Sequence, residues 1–176
     1  MINFPGQTAA PTFATPLAIL RACHGRILDQ CNTLHKLLQH LPAHGSDLQA
    51  QQAAQAILRY FDTAGQLHHQ DEEEDLFPLL LAKGQTESAE LITRLLAEHR
   101  QMDKAWALLR TRLSEIASGK SASLERNLVD HFSTAYEGHI NLENEQLLPL
   151  AARLLTEQQL NQLGENMADR RKVKEN

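Results

Sequence analysis

Apolar residues recur at alternating steps of three and four along the first long stretch of the chain. The positions are Leu20, His24, Ile27, Cys31, Leu34, Leu38 and Leu41. Such spacing places about one residue per turn on a single helical face and excludes a strand, whose two sides alternate at every residue. A later stretch repeats the pattern at Ile92, Leu95, His99, Met102, Trp106, Leu109, Leu113 and Ile116. In each stripe one core position is a histidine. Thr15-Pro16 opens the first stretch with a cap residue and a proline at the first helical position, where its missing N–H costs nothing.

Two further stretches carry comparable faces. One runs from about Asp47 to Leu81 with Ile57, Phe61, Ala64, His68, Glu72, Leu76 and Leu79. The other runs from about Ser123 with Leu128, Phe132, Ala135, His139, Glu143 and Leu147. Breakers separate the four at residues 42–46, 83–86 and 118–121. Four long amphipathic helices joined by short loops predict an all-α, up-down-up-down antiparallel four-helix bundle. The 176 residues suit one domain of this kind. Residues 1–15, including Phe4-Pro5-Gly6, read as an N-terminal arm, residues 16–158 as the bundle, and residues 159–176 as a C-terminal extension that frays from about Gln162.

The halves of the chain repeat weakly. His68-x-x-x-Glu72 and His139-x-x-x-Glu143 each have a proline ten residues after the histidine, at Pro78 and Pro149. The repeat implies two helix hairpins of similar design, each supplying one lone histidine and one His-x-x-x-Glu. Residues four apart share a helical face, so each pair projects an imidazole and a carboxylate inward together. His24, His68, Glu72, His99, His139 and Glu143 can then meet at one depth. Four nitrogens and two carboxylates without thiolate suit iron or manganese better than a closed zinc site, and each carboxylate can bridge two ions.

These motifs resemble the hemerythrin-like, HHE cation-binding domains. The likeness spans roughly residues 16–156. It rests on Ala22-Cys23-His24, the run from His68 to Pro78, Glu98-His99, and His139-Ile140-Asn141-Leu142-Glu143. The resemblance implies a non-haem centre of two iron ions, oxo- or hydroxo-bridged, with another divalent metal as the alternative. It makes His24, His68, His99 and His139 terminal ligands and Glu72 and Glu143 the bridges. Dioxygen, nitric oxide or peroxide is the implied small ligand. Oxygen carriers of the family have His-x-x-x-His in the third helix, whereas Asp103 stands at the second position here. The departure favours a role in iron, nitrosative or oxidative stress over oxygen storage. A ferritin-like diiron oxidase is the runner-up, although no Glu has a His three residues later. A metal-free interaction bundle is the third reading.

Other residues have lesser roles. His69 and Glu73 form an overlapping His-x-x-x-Glu pair, and Glu73 suits an outer hydrogen-bonding role toward a ligating imidazole. The rest of the run from Asp71 to Asp75 reads as a solvated acidic face. His35, His40 and His44 read as exposed, and His131 lies about 12 Å along the axis from His139. Tyr136 is placed to hydrogen-bond a small oxygen ligand, while Met102 and Trp106 fill core. Arg170-Arg171-Lys172-Val173-Lys174 reads as a solvated tail.

Charge narrows the partners. A net charge of −5 gives no overall positive field for nucleic acid. The sequence shows neither a secretory leader nor a span for a membrane. With Cys23 and Cys31 the only cysteines, two turns apart, reduced thiols in a cytoplasmic protein are expected.

Overall fold

The computed structural model of the chain describes residues 11–172. Among them there is no strand, and five helical rods account for the architecture. Helix α1 spans Pro16–His44. Rod α2 occupies 48–81 and is composite, with α-helix at Leu48–Asp62 and Ala64–Gln70, a wider turn at Asp71–Leu76 and α-helix again at Phe77–Leu81. Helix α3 spans Thr86–Ala117. Rod α4 occupies 126–154, with α-helix at Arg126–Leu142, a second wide turn at Glu143–Leu147 and α-helix at Leu148–Leu154. Helix α5 lies at Glu157–Lys172.

The first four pack in a ring, α1 against α2, α2 against α3, α3 against α4 and α4 back against α1. Short turns between them make neighbours antiparallel. Gly45 sits at φ 63 and lets α1 stop abruptly. The apolar stripes predicted for the first and third helices are buried throughout.

The two wide turns have a local cause. Proline has no N–H to donate and its ring crowds the carbonyl four residues back, so the ladder must adjust near Pro78 and Pro149. It does so one residue earlier in each rod. The Phe77 N–H donates to the Glu72 carbonyl and the Leu148 N–H to the Glu143 carbonyl, five residues back rather than four. The extra residue rotates the remainder of the rod, which corrects one expectation. Leu80 rather than Leu79 is the fully buried position after the turn.

Helix α5 corrects three more. The stretch expected to fray from Gln162 is helical through Lys172, with Leu163 and Met167 fully buried. It packs on α1 and on the wide turn of α2. The acidic run of that turn is not simply solvated, since Asp71 is fully buried. Asp71 takes Arg170 Nη1 at 2.6 Å and Arg171 Nη2 at 2.7 Å, and Arg170 Nη2 reaches Asp75 at 2.6 Å. The basic end therefore neutralises the acidic turn instead of trailing in solvent. Residues 173–176, like Phe4-Pro5-Gly6 of the arm, lie outside the described residues.

The core has two apolar clusters. One joins Ile27, Leu34, Phe61, Trp106 and Phe132 with their neighbours. The other joins Leu20, Phe77, Leu95 and Leu147 to Leu163 and Met167 of α5.

Helix α5 seats closely on the segment that enters α1. A methyl group at Gly164 would overlap the Phe13 carbonyl, a backbone atom that cannot swing away. Gly164→Ala is expected to cost about 1–3 kcal/mol by overpacking, read as a lower urea midpoint. An unchanged midpoint would show that this contact contributes nothing.

Candidate metal centre

Six polar side chains lie within the core. His24, His68, Glu72, His99, His139 and Glu143 are each no more than 2% exposed. His24 comes from α1, His68 and Glu72 from α2, His99 from α3, and His139 and Glu143 from α4. One donor atom from each of His24, His68, Glu72 and Glu143 lies within 4.8 Å of the others, and the same holds for Glu72, His99, His139 and Glu143. Both carboxylates belong to both groups.

Contacts across the centre are short. His24 Nε2 is 3.0 Å from Glu143 Oε2, and His139 Nε2 is 3.0 Å from Glu143 Oε1. His68 Nε2 and His99 Nε2 are each 3.4 Å from an oxygen of Glu72. Yet most of these atoms do not meet in hydrogen-bond geometry. His24 Nε2, both nitrogens of His68 and all four carboxylate oxygens of Glu72 and Glu143 are buried with no hydrogen-bond partner. An unsatisfied buried polar group costs about 1–3 kcal/mol. Seven such atoms weigh against the whole stability of an ordinary domain, about 5–15 kcal/mol. Nitrogen and oxygen lone pairs converging in this way, with no thiolate among them, fit a metal cation that accepts them all.

Outer partners fix three of the rings. His24 Nδ1–H donates to Asn144 Oδ1 at 2.9 Å, His99 Nδ1–H to Glu73 Oε1 at 2.6 Å, and His139 Nδ1–H to Glu98 Oε2 at 2.8 Å. Amide and carboxylate oxygens can only accept, so each of these imidazoles carries its proton outward. Nε2 of each ring faces the centre, as a metal ligand must, and without a cation the 3.0 Å contact between His99 Nε2 and His139 Nε2 needs a proton on one of the two.

Residues 15–151 match the hemerythrin HHE cation binding domain. The chain belongs to that family. It is also 33% identical over 165 residues to an uncharacterized protein of Haemophilus influenzae, covering 93% of this chain and 94% of the relative. No helix among the described residues is long and apolar enough to cross a membrane.

Electrostatics divide the two carboxylates of this hemerythrin-like centre. Burial and the adjacent Glu143 raise Glu72 well above the ordinary carboxylate range. Burial would raise Glu143 too, but the imidazoles of His139 and His24 hold it well below that range. Without a cation, two buried carboxylates this close resist ionising together. Burial pushes His68 down to about 3, so that ring stays neutral.

His69 lies outside both donor groups. Its ring stacks on His99 with centroids 3.9 Å apart. With Gln66, Gln70, Glu73, Glu74, Asp103 and Trp106 it lines a surface cleft of about 310 Å³. Asp103 thus stands at the cleft rather than among the core donors. Tyr136 is buried beside Phe132 and about 6.0 Å from His69. Trp106 joins the core while its Nε1–H donates to Asp62. Asn144 and Glu98 were not singled out from the sequence for their outer roles. The signal for Asn144 was its place directly after Glu143, and for Glu98 its place directly before His99.

Glu72 gives a test of the donor set without metal. Its folded value is raised above the usual 4.5. The resulting penalty is absent below pH 4.5 and grows as pH rises. Glu72→Gln is therefore expected to stabilise the metal-free protein at pH 7 by about 1–3 kcal/mol, with the gap closing as the solution is acidified towards pH 4.5. Urea titrations across pH in chelator check this, and a destabilised variant at pH 7 contradicts it.

His68 predicts the opposite slope. Below about pH 6.5 the unfolded chain takes a proton that the folded ring refuses until about 3. The His68 contribution to metal-free stability should be lost progressively over that window. The fit is testable as a reduced acid slope in His68→Gln.

Proposed function

We propose that this protein is a non-haem diiron protein that binds or responds to a small oxidant, namely dioxygen, nitric oxide or peroxide, in iron or nitrosative and oxidative stress. The observation that carries the reading is the sharing of Glu72 and Glu143 by two otherwise separate donor groups. His24 and His68 would hold one ion, His99 and His139 the other, with both carboxylates between them. Two redox-active ions side by side supply paired one-electron chemistry toward a small ligand.

The chain's own residues prepare that chemistry. Asn144, Glu73 and Glu98 hold three imidazoles in the donor tautomer and restrict their rotation. Six side chains, offering four nitrogens and four carboxylate oxygens, would not saturate two ions that accept six ligands each, which would leave positions for an exogenous ligand. The cleft beside His69 offers an approach from solvent towards the His99 side, and its lining of Glu73, Glu74 and Asp103 disfavours anions. A small neutral molecule is the species best admitted. Asp103 in place of a further histidine supports sensing or stress handling over reversible oxygen carriage. Both cysteines are free and buried, and burial raises both thiols, Cys31 to about 12. Inert thiols of this kind accord with a cytoplasmic setting.

Anaerobic loading with ferrous iron should give two irons per chain, and exposure to air should produce near-ultraviolet charge-transfer absorption. The melting temperature should rise on loading, because the cation binds only the folded state. Glu143→Ala should retain at most one iron. Protein that stays colourless with iron and air, or melts at the same temperature with and without iron, would overturn the reading.

A further inference from the structure

The end of α1 carries a second cluster of donors that the buried centre does not use. His40 and His44 are four residues apart on the last turns of the helix, and Asp47 caps the start of α2 three residues later. His40 Nε2 lies 3.0 Å from both carboxylate oxygens of Asp47. The two imidazoles are stacked, with centroids 4.3 Å apart and planes inclined by 22°. One donor atom from each of the three residues lies within 4.8 Å of the others. We propose that His40, His44 and Asp47 form a second, independent binding site for a divalent first-row cation of the Zn2+ type.

Residue chemistry and spacing agree. Two histidines at i and i+4 present both rings on one side of a helix, the arrangement that places two nitrogens on one zinc ion. Imidazole and carboxylate are donors that Zn2+ accepts readily, and three protein donors leave a position for water. Donors around a tetrahedral zinc ion stand about 3.4 Å apart. His40 and Asp47 already meet that requirement. His44 is exposed and free to close the remaining distance by rotating its side chain.

The turn holds Asp47 in place. Ser46 Oγ donates to the Ile116 carbonyl at 2.7 Å, and Gln51 Nε2 donates to the Ser46 carbonyl at 2.9 Å. Asp47 Oδ1 accepts the Ala50 N–H at 2.8 Å, which leaves Oδ2 free of the cap. Of the two helix ends that meet here, the end of α1 favours a cation, while the N-terminus of α2 beside Asp47 carries partial positive charge. The C-terminal end of α1 presents unpaired carbonyls and partial negative charge. The capping hydrogen bond from Ala50, ahead of the contact with His40, holds the Asp47 carboxyl below its ordinary value, so it is anionic at neutral pH.

A simple His40–Asp47 ion pair would account for two of the three residues. It does not account for the second ring stacked beside the first. Sixteen residues separate His24 from His40 along one helix, about 24 Å of rise. The two sites are therefore separate, and a cation here would clip α1 to α2 across the first turn.

The test uses iron-loaded protein titrated with ZnCl2 in a non-chelating buffer by calorimetry, with the iron absorption followed to confirm that zinc leaves the buried centre alone. A single saturable Zn2+ equivalent is expected. His44→Ala and Asp47→Asn should each weaken it by about 10-fold or more. Asn keeps the cap on Ala50, and His44 is exposed, so both variants retain the fold. His35→Ala, a surface control elsewhere on α1, should bind as the parent does. Comparing metal-free Glu143→Ala with the double variant Glu143→Ala/His44→Ala separates this site from the diiron reading, because one zinc equivalent should be lost between them whatever the damaged centre still binds. No saturable zinc, or binding unchanged in His44→Ala, overturns the proposal.

Discussion

Burying lone pairs where no proton meets them is the constraint on which this molecule turns. Carboxylates and imidazoles at the heart of a helical bundle cannot be balanced by apolar packing, because each unpaired atom forfeits its hydration. The surrounding structure accepts that cost and arranges for it. Apolar clusters with Phe61 and Phe132 on one side, and Leu20 and Phe77 on the other, supply the burial that keeps the helices together despite the polar layer. Outer hydrogen bonds turn the rings inward. The family match and the donor geometry are then two views of one arrangement, a helical scaffold with a layer of converging cation donors at its heart.

Much of this was legible in the sequence because helical periodicity is a local signal. A histidine within a stripe of leucines is conspicuous, and His-x-x-x-Glu repeated with a proline beyond it is more so. The ring of four helices and the meeting of the six side chains follow from that pattern. The register after the wide turns did not, since Leu79 and Leu80 are alike in type and only a backbone bond shifted by one residue distinguishes them. The prolines were visible, but not the carbonyl to which the ladder would switch.

Long-range pairing explains the other misses. Helix α5 is mostly polar, and its docking depends on Leu163 and Met167 together with arginines that find partners about a hundred residues away. Read alone, a basic end and an acidic run each look solvated. Read together, they neutralise one another, and Asp71 can be fully buried beside Glu72. Glu98 and Asn144 were hidden for the same reason. Glu98 serves a ring on the neighbouring rod, and Asn144 serves a ring on the opposite end of the chain.

The outer hydrogen bonds are unevenly distributed between the hairpins. Both imidazoles of the second hairpin, His99 and His139, give their protons to carboxylates, whereas His24 leans on a neutral carboxamide and His68 Nδ1 has no partner. A carboxylate acceptor makes the opposite nitrogen a stronger electron donor. The near-symmetry of the backbone is thus not matched by electronic symmetry. If two ions are held as proposed, they would differ in how easily they give up an electron, a polarity that the fold alone does not reveal.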